Sequence, residues 1–155
     1  MSKKSIFMHY VNQPKAEPEY QWHTIFSGSK QWDCGGSDTT NWITGLPSNV
    51  QKFRATGQVY LDPAHSSTDS HIKFTLADGT QTYYKEESGV HGKTYTFTDV
   101  EFMKIYHYSG EVNYKAYITT ISFDAATGAL TVKGQGGSSG GNSGYLKFTK
   151  IEALY

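Results

Sequence analysis

The chain has 155 residues, and its 14 Lys plus Arg balance its 14 Asp plus Glu to a formal net charge of zero. That balance argues against a DNA or RNA partner, which needs a basic surface, and against steering to an anionic membrane. One cysteine, Cys34, excludes an internal disulfide, and the length suits one domain over residues 1–155 that folds without a crosslink or structural metal.

The opening MSKKSIFMHYV has two lysines before an apolar patch, but the patch is strand-length, contains His9 and precedes no small-residue cleavage site. The reading excludes a signal peptide and expects cytoplasmic synthesis, with any release by a non-classical route. Ile6, Met8 and Tyr10 alternate with Phe7 and His9, which predicts a strand over 5–11. Pro14 and Pro18 mark a connection. Tyr20, Trp22, Thr24 and Phe26 then fall on one face of a second strand. Residues 27–49 carry Gly28, Gly35, Gly36, Gly45 and Pro47 and predict only a short strand near 40–44.

Phe53, Ala55, Gly57, Val59 and Leu61 alternate over a longer strand, 50–61, before the polar loop DPAHSSTDS. Ile72, Phe74 and Leu76 lead into Asp78-Gly79, and Thr82 to Lys85 returns. Asp-Gly between alternating runs marks a hairpin, because its turn needs positive φ at both positions. TYTFTDVEFMKIYHY reads as one long strand whose phase slips near Asp99, as a β-bulge would cause. VNYKAYITTISFD, the turn AATG, ALTVKG, the low-complexity loop GQGGSSGGNSG and a last strand YLKFTKIEAL complete nine or ten strands.

With 12 Tyr, 8 Phe, 3 Trp and 16 Gly, and no long helical periodicity, the chain is expected to be all-β. The expected fold is an antiparallel β-sandwich of jelly-roll type, with a closed β-barrel as the alternative. No run of about 18 apolar residues is present, so no membrane-spanning helix is expected.

Few residues announce chemistry. Cys34 in WDCGGS has no catalytic signature around it and reads as a half-buried loop cysteine. Asp99 and Glu101, two apart on a strand, would stand roughly 6.6–6.8 Å apart, within the separation of a glycosidase pair. They support an alternative reading as a polysaccharide-acting hydrolase. Asp62 and Asp69, with His65 and His71, flank the polar loop, and calcium is the ion the two aspartates would suit. The glycine-rich loop lacks the GK[ST] ending of a phosphate cradle, although Asn142 and its serines offer hydrogen bonds.

The tryptophans Trp22, Trp32 and Trp42 all lie within twenty-one residues. Trp22, in a regular strand, is expected in the core. Trp32 and Trp42 flank WDCGGSDTTNW with Asp33, Asp38 and Asn41, and two readings stand: they pin a loop to the sandwich, or they face a ligand. An indole covers the apolar face of a sugar while Asp and Asn bond its hydroxyls. Tyr83, Tyr84, Tyr106, Tyr108, Tyr114 and Tyr117 add aromatic surface for a sugar, a protein or a subunit interface. The expectation is therefore a non-catalytic, lectin-like binder of glycans, a homo-oligomer for avidity, using Trp32, Asp33, Asp38, Asn41, Trp42 and Asn142. The second expectation is a toxin or assembly subunit, whose TYTFTDV or YITTISF would form a membrane hairpin.

Overall fold

In the computed structural model, residues 17–63, 68–112, 115–137 and 144–155 are described, together with the backbone alone at the 111–112 and 115 ends of two strands. The strand expected over 5–11 lies outside these residues. Among the described residues ten strands follow in order: β1 (Trp22–Asp33), β2 (Thr39–Ile43), β3 (Lys52–Leu61), β4 (Asp69–Thr75), β5 (Gln81–Ser88), β6 (Lys93–Phe102), β7 (Lys104–Val112), β8 (Lys115–Asp124), β9 (Ala129–Gln135) and β10 (Tyr145–Leu154). No helix occurs among the described residues.

The strands form two antiparallel sheets, ordered β1-β10-β3-β6 and β2-β9-β8-β7-β4-β5. Neither sheet closes on itself, so the molecule is a sandwich and not a barrel. The pairs β1–β10, β2–β9, β3–β6 and β4–β5 are nested in sequence. Such nesting is one long hairpin rolled up on itself, which is the jelly roll. The β7–β8 hairpin is an insertion: it lies between β4 and β9 and widens the second sheet to six strands.

Alternation builds the core directly. Phe53, Ala55, Val59 and Leu61 of β3 are fully buried, as are Ile72 and Phe74 of β4. Leu146 and Phe148 point inward from the first half of β10, and Ile151 and Ala153 from the second. The change from even to odd inward positions is caused by a bulge between Phe148 and Lys150. Aromatic rings join the sheets edge-to-face: Phe74 meets Phe97 at 5.1 Å and Phe53 meets Phe123 at 5.4 Å. The Asp78-Gly79 hairpin forms at the expected place, but its turn has positive φ at Gly79 alone (86°) and not at Asp78; the Gly79 amide donates to the Leu76 carbonyl at 3.0 Å and the Thr80 amide to Asp78 Oδ1 at 2.9 Å.

Three expectations need correction. The single long strand over 94–108 is two strands in different sheets. The slip at Asp99 is real, since Asp99 has φ 48°, but the chain also breaks at Met103 and crosses from β6 to β7. A strand that changes sheets keeps its alternation, so periodicity alone does not show the crossing. Residues 27–33, taken as irregular, continue β1 through Gly28. Within β1, register shifts between Thr24 and Phe26, so these residues do not share a face with Trp22 throughout.

Candidate functional site

β1 ends the four-stranded sheet and β2 ends the six-stranded sheet. The loop Cys34–Asp38 joins them. Its entry is fixed by Cys34, which is fully buried and not half-buried as expected. The thiol donates to the carbonyls of His107 at 3.4 Å and Tyr117 at 3.2 Å. Burial pushes its pKa up from 9.0 to about 12, so it stays protonated and is a poor nucleophile. Its role is anchorage. The Gly35 amide donates to Thr119 Oγ1 at 3.0 Å. Gly35 has φ 103°, and a Cβ there would lie 2.5 Å from the Tyr117 ring, so no other residue fits. Gly36 bridges to Gly137.

Beneath this loop is a half-open cleft of about 180 Å³. Trp32 and Asp33 of β1 form one wall. Thr40 of β2, Val132 and Gly134 of β9 and Thr119 of β8 form the other, and Asp38 closes the loop side. No Lys, Arg or His lines it. Asp33 Oδ1 accepts from Gln31 at 2.8 Å, which orients its carboxylate. Trp32 presents an indole whose N–H is buried without a partner among the described residues. Lys30 Nζ lies 4.3 Å from the centre of the same ring.

The six residues expected to bind ligand therefore divide. Trp32, Asp33 and Asp38 converge on the cleft. Trp42 does not reach it: its ring packs inward against Phe26 at 5.2 Å, Phe148 at 5.3 Å and Trp32 at 5.7 Å. Asn41, on the opposite face of β2 from Trp42, accepts from Thr131 Oγ1 at 3.1 Å on the sheet exterior. Asn142 lies outside the described residues. Thr40 falls inside the expected segment 32–42 but was not singled out, and Thr119 and Gly134 were missed, because strand pairing alone brings them to residues far away in sequence.

The expectation for Trp22 is overturned. It takes no part in the core cluster, which Trp32 and Trp42 join from its margin. Trp22 lies on the outer face, under the Arg54 guanidinium at 4.2 Å. The bulge at Ile25 is the reason: it turns Trp22 outward while Phe26 points in.

The other candidates are engaged elsewhere. Asp99 Oδ1 pairs with Lys150 at 3.2 Å, and Glu101 pairs with Lys52. The Lys150 ammonium holds the Asp99 carboxyl below its usual range, the reverse of what a general acid needs. Asp69 pairs with His71 at 3.2 Å. The Asp62 carbonyl accepts from Ser70 at 2.8 Å, and burial raises its carboxyl pKa. The donor set of a calcium site, about six to eight oxygens, is not assembled by these two aspartates. Among the described residues no group of three or more His, Cys, Asp or Glu side chains could hold a metal. His65 is outside the described residues.

Of the tyrosines, Tyr83 packs on Phe74 and Phe97 inside the sandwich. Tyr84, Tyr106 and Tyr108 surround His71 on the outer face of the six-stranded sheet. Tyr114 lies outside the described residues. TYTFTDV belongs to β6 and YITTISF to β8, both paired within the sheets. No helix is long and apolar enough to cross a membrane among the described residues.

No protein-family model and no curated protein matches the chain. Two solved structures show a distant likeness. One is a chain of the T13 particle of infectious bursal disease virus, 13% identical over 91% of this chain, with a TM-score of 0.29. The other is VP2 of the subviral particle of the same virus, 11% identical over 88%, with a TM-score of 0.26. The present chain spans 32% of the length of each. The jelly-roll assignment rests on strand pairing, independently of this likeness.

Proposed function

We propose that the protein is a lectin-like binder of neutral glycans, and that the Trp32 cleft holds a terminal sugar. The observation that carries the reading is the meeting of one indole with two carboxylates and two threonine hydroxyls in a cleft whose lining holds no cation, the Lys30 ammonium lying over the Trp32 ring. An indole accepts the C–H face of a pyranose, and Asp33 and Asp38 accept hydrogen bonds from adjacent hydroxyls. The volume is below the roughly 300–1,000 Å³ of pockets for drug-sized ligands, so one sugar residue is the natural occupant. A single shallow site of this kind is weak, and avidity through several copies would raise it. The chemistry proposed is recognition, in which the ring face and the hydrogen-bond acceptors hold a sugar in place.

The test is a glycan array followed by tryptophan fluorescence titration of each hit. Neutral glycans are expected to bind and to shift the emission. Asp38→Ala, at an exposed position, should weaken binding at least tenfold without changing the fold. A folded protein that binds no neutral glycan, or one whose binding survives Asp38→Ala and Trp32→Phe unchanged, would overturn the reading.

A further inference from the structure

A second cavity, of about 290 Å³, opens on the outer face of the four-stranded sheet. It owes its shape to bulges aligned across that sheet. β10 has the extra residue Thr149 between Phe148 and Lys150. β6 sets both Thr98 and Asp99 opposite Thr56. β1 inserts a residue between Ser27 and Lys30 at the same level. β3 alone runs without an insertion, and there it has Gly57, where a Cβ would lie 2.0 Å from the Lys147 carbonyl oxygen. The three bulges and the missing side chain sink a furrow into an otherwise continuous sheet. Asp99 is the one non-glycine residue with positive φ among the described residues, and it is held there by reciprocal hydrogen bonds with Thr56 Oγ1 at 3.1 and 3.3 Å.

The furrow is lined by Thr56, Gln58, Thr96, Thr98, Lys147 and Thr149, over a floor at Gly57 and Phe97. Its chemistry is the opposite of the Trp32 cleft. Three nearby cations are neutralised: Lys52 by Glu101, Arg54 by Glu152, and Lys150 by Asp99. Lys147 has no ion-pair partner among the described residues, and no carboxylate is part of the lining. The Thr96 and Thr98 hydroxyls are likewise uncommitted among the described residues. Hydroxyls and the Gln58 amide both donate and accept, which matches a ligand bearing several hydroxyls. An ammonium only donates, and unpaired it favours an anionic acceptor.

We infer that this furrow is a second binding site, for a saccharide that carries an oxyanion, with Lys147 on the oxyanion and Thr96, Thr98 and Gln58 on the sugar hydroxyls. It is independent of the Trp32 cleft, which lies between the sheets and offers an anion two carboxylates.

The experiment is a ¹⁵N-HSQC titration of the full chain with galactose 6-sulfate, N-acetylneuraminic acid, neutral galactose and inorganic sulfate. The first two separate sulfate ester from carboxylate as the oxyanion. At least one is expected to move the amide resonances of Gln58, Thr96 and Thr98, where galactose at the same concentration does not. Lys147→Met should weaken that binding at least tenfold, and Thr98→Val should weaken it several-fold, with the remaining spectrum unchanged. Trp32→Phe should leave it intact. Silence toward both acidic sugars, equal binding by Lys147→Met, or displacement by inorganic sulfate at equal concentration would overturn the inference. None of those results touches the Trp32 cleft, whose own test reads tryptophan emission and neutral sugars.

Discussion

The two cavities are made by opposite means. The Trp32 cleft lies between the sheets, where a glycine-bearing loop crosses from β1 to β2, and its walls come from both sheets. The furrow lies within one sheet, where bulges in three strands line up. The first combines an aromatic ring with carboxylates. The second combines hydroxyls with an unpaired ammonium. A β-sandwich can thus create recesses by its connections or by defects in its ladders, and the route decides the chemistry. A crossing loop brings turn-forming Asp and Gly to an aromatic core margin, and a bulge on a solvated face brings Thr and Lys.

The comparison also predicts unequal sensitivity to acid. His107 is fully buried, and neither ring nitrogen has a partner among the described residues. It pairs in the ladder with Thr119, a wall of the cleft. Burial, with a smaller contribution from the charge of His71, lowers its pKa from 6.5 to about 3. The unfolded chain therefore takes up this proton first. Stability from this group is full above about pH 6.5 and falls as pH drops toward about 3, by roughly 5 kcal/mol at most. Denaturant melts from pH 7 to 4 should show about 3 kcal/mol of that loss, and His107→Leu should flatten it. The furrow side depends on Asp99, whose pKa is lowered by Lys150, so its contribution is present above about pH 4 and lost only below it.

Trp32→Ala should cost about 3 kcal/mol in urea denaturation, because it empties a place against Trp42 and the core. Trp22→Ala, on the outer face under Arg54, should cost about 1 kcal/mol. Equal costs would break the distinction between core-margin and surface tryptophans. The smallest effect is expected at Lys30, whose ammonium lies over the Trp32 ring. Lys30→Met removes a cation–π contact of about 0.5–1 kcal/mol that a stacking sugar would have to displace. Neutral-glycan affinity at the cleft should rise two- to fivefold by fluorescence titration, with no change at the furrow.

Much of this was legible along the chain. Alternation in FRATGQVYL and HIKFT, the Asp78-Gly79 turn and the phase slip at Asp99 each reported local geometry, because a strand's period and a turn's φ are local properties. That Trp32, Asp33 and Asp38 would lie close together was legible too, since they sit on one short loop and its flanks; all three line the cleft. Trp42 was not separable from Trp32 by sequence, since both border the same polar segment and only packing on Phe26 and Phe148 draws one of them inward. The furrow left almost no trace, because aligned bulges are a property of register between strands more than ninety residues apart, as at Thr56–Thr149 and Ser27–Lys150.

The sequence by itself determined an all-β chain, its turns, the inward residues of most strands and the absence of a large charge imbalance. These follow from short-range sterics and from composition. Only the tertiary structure decided that 94–108 divides between two sheets, that Trp22 faces out while Trp42 faces in, and that Thr40, Thr119 and Gly134 complete the cleft. Those outcomes depend on which strands pair and in what register. Register is set by burial summed over both sheets at once, and no single segment carries that sum.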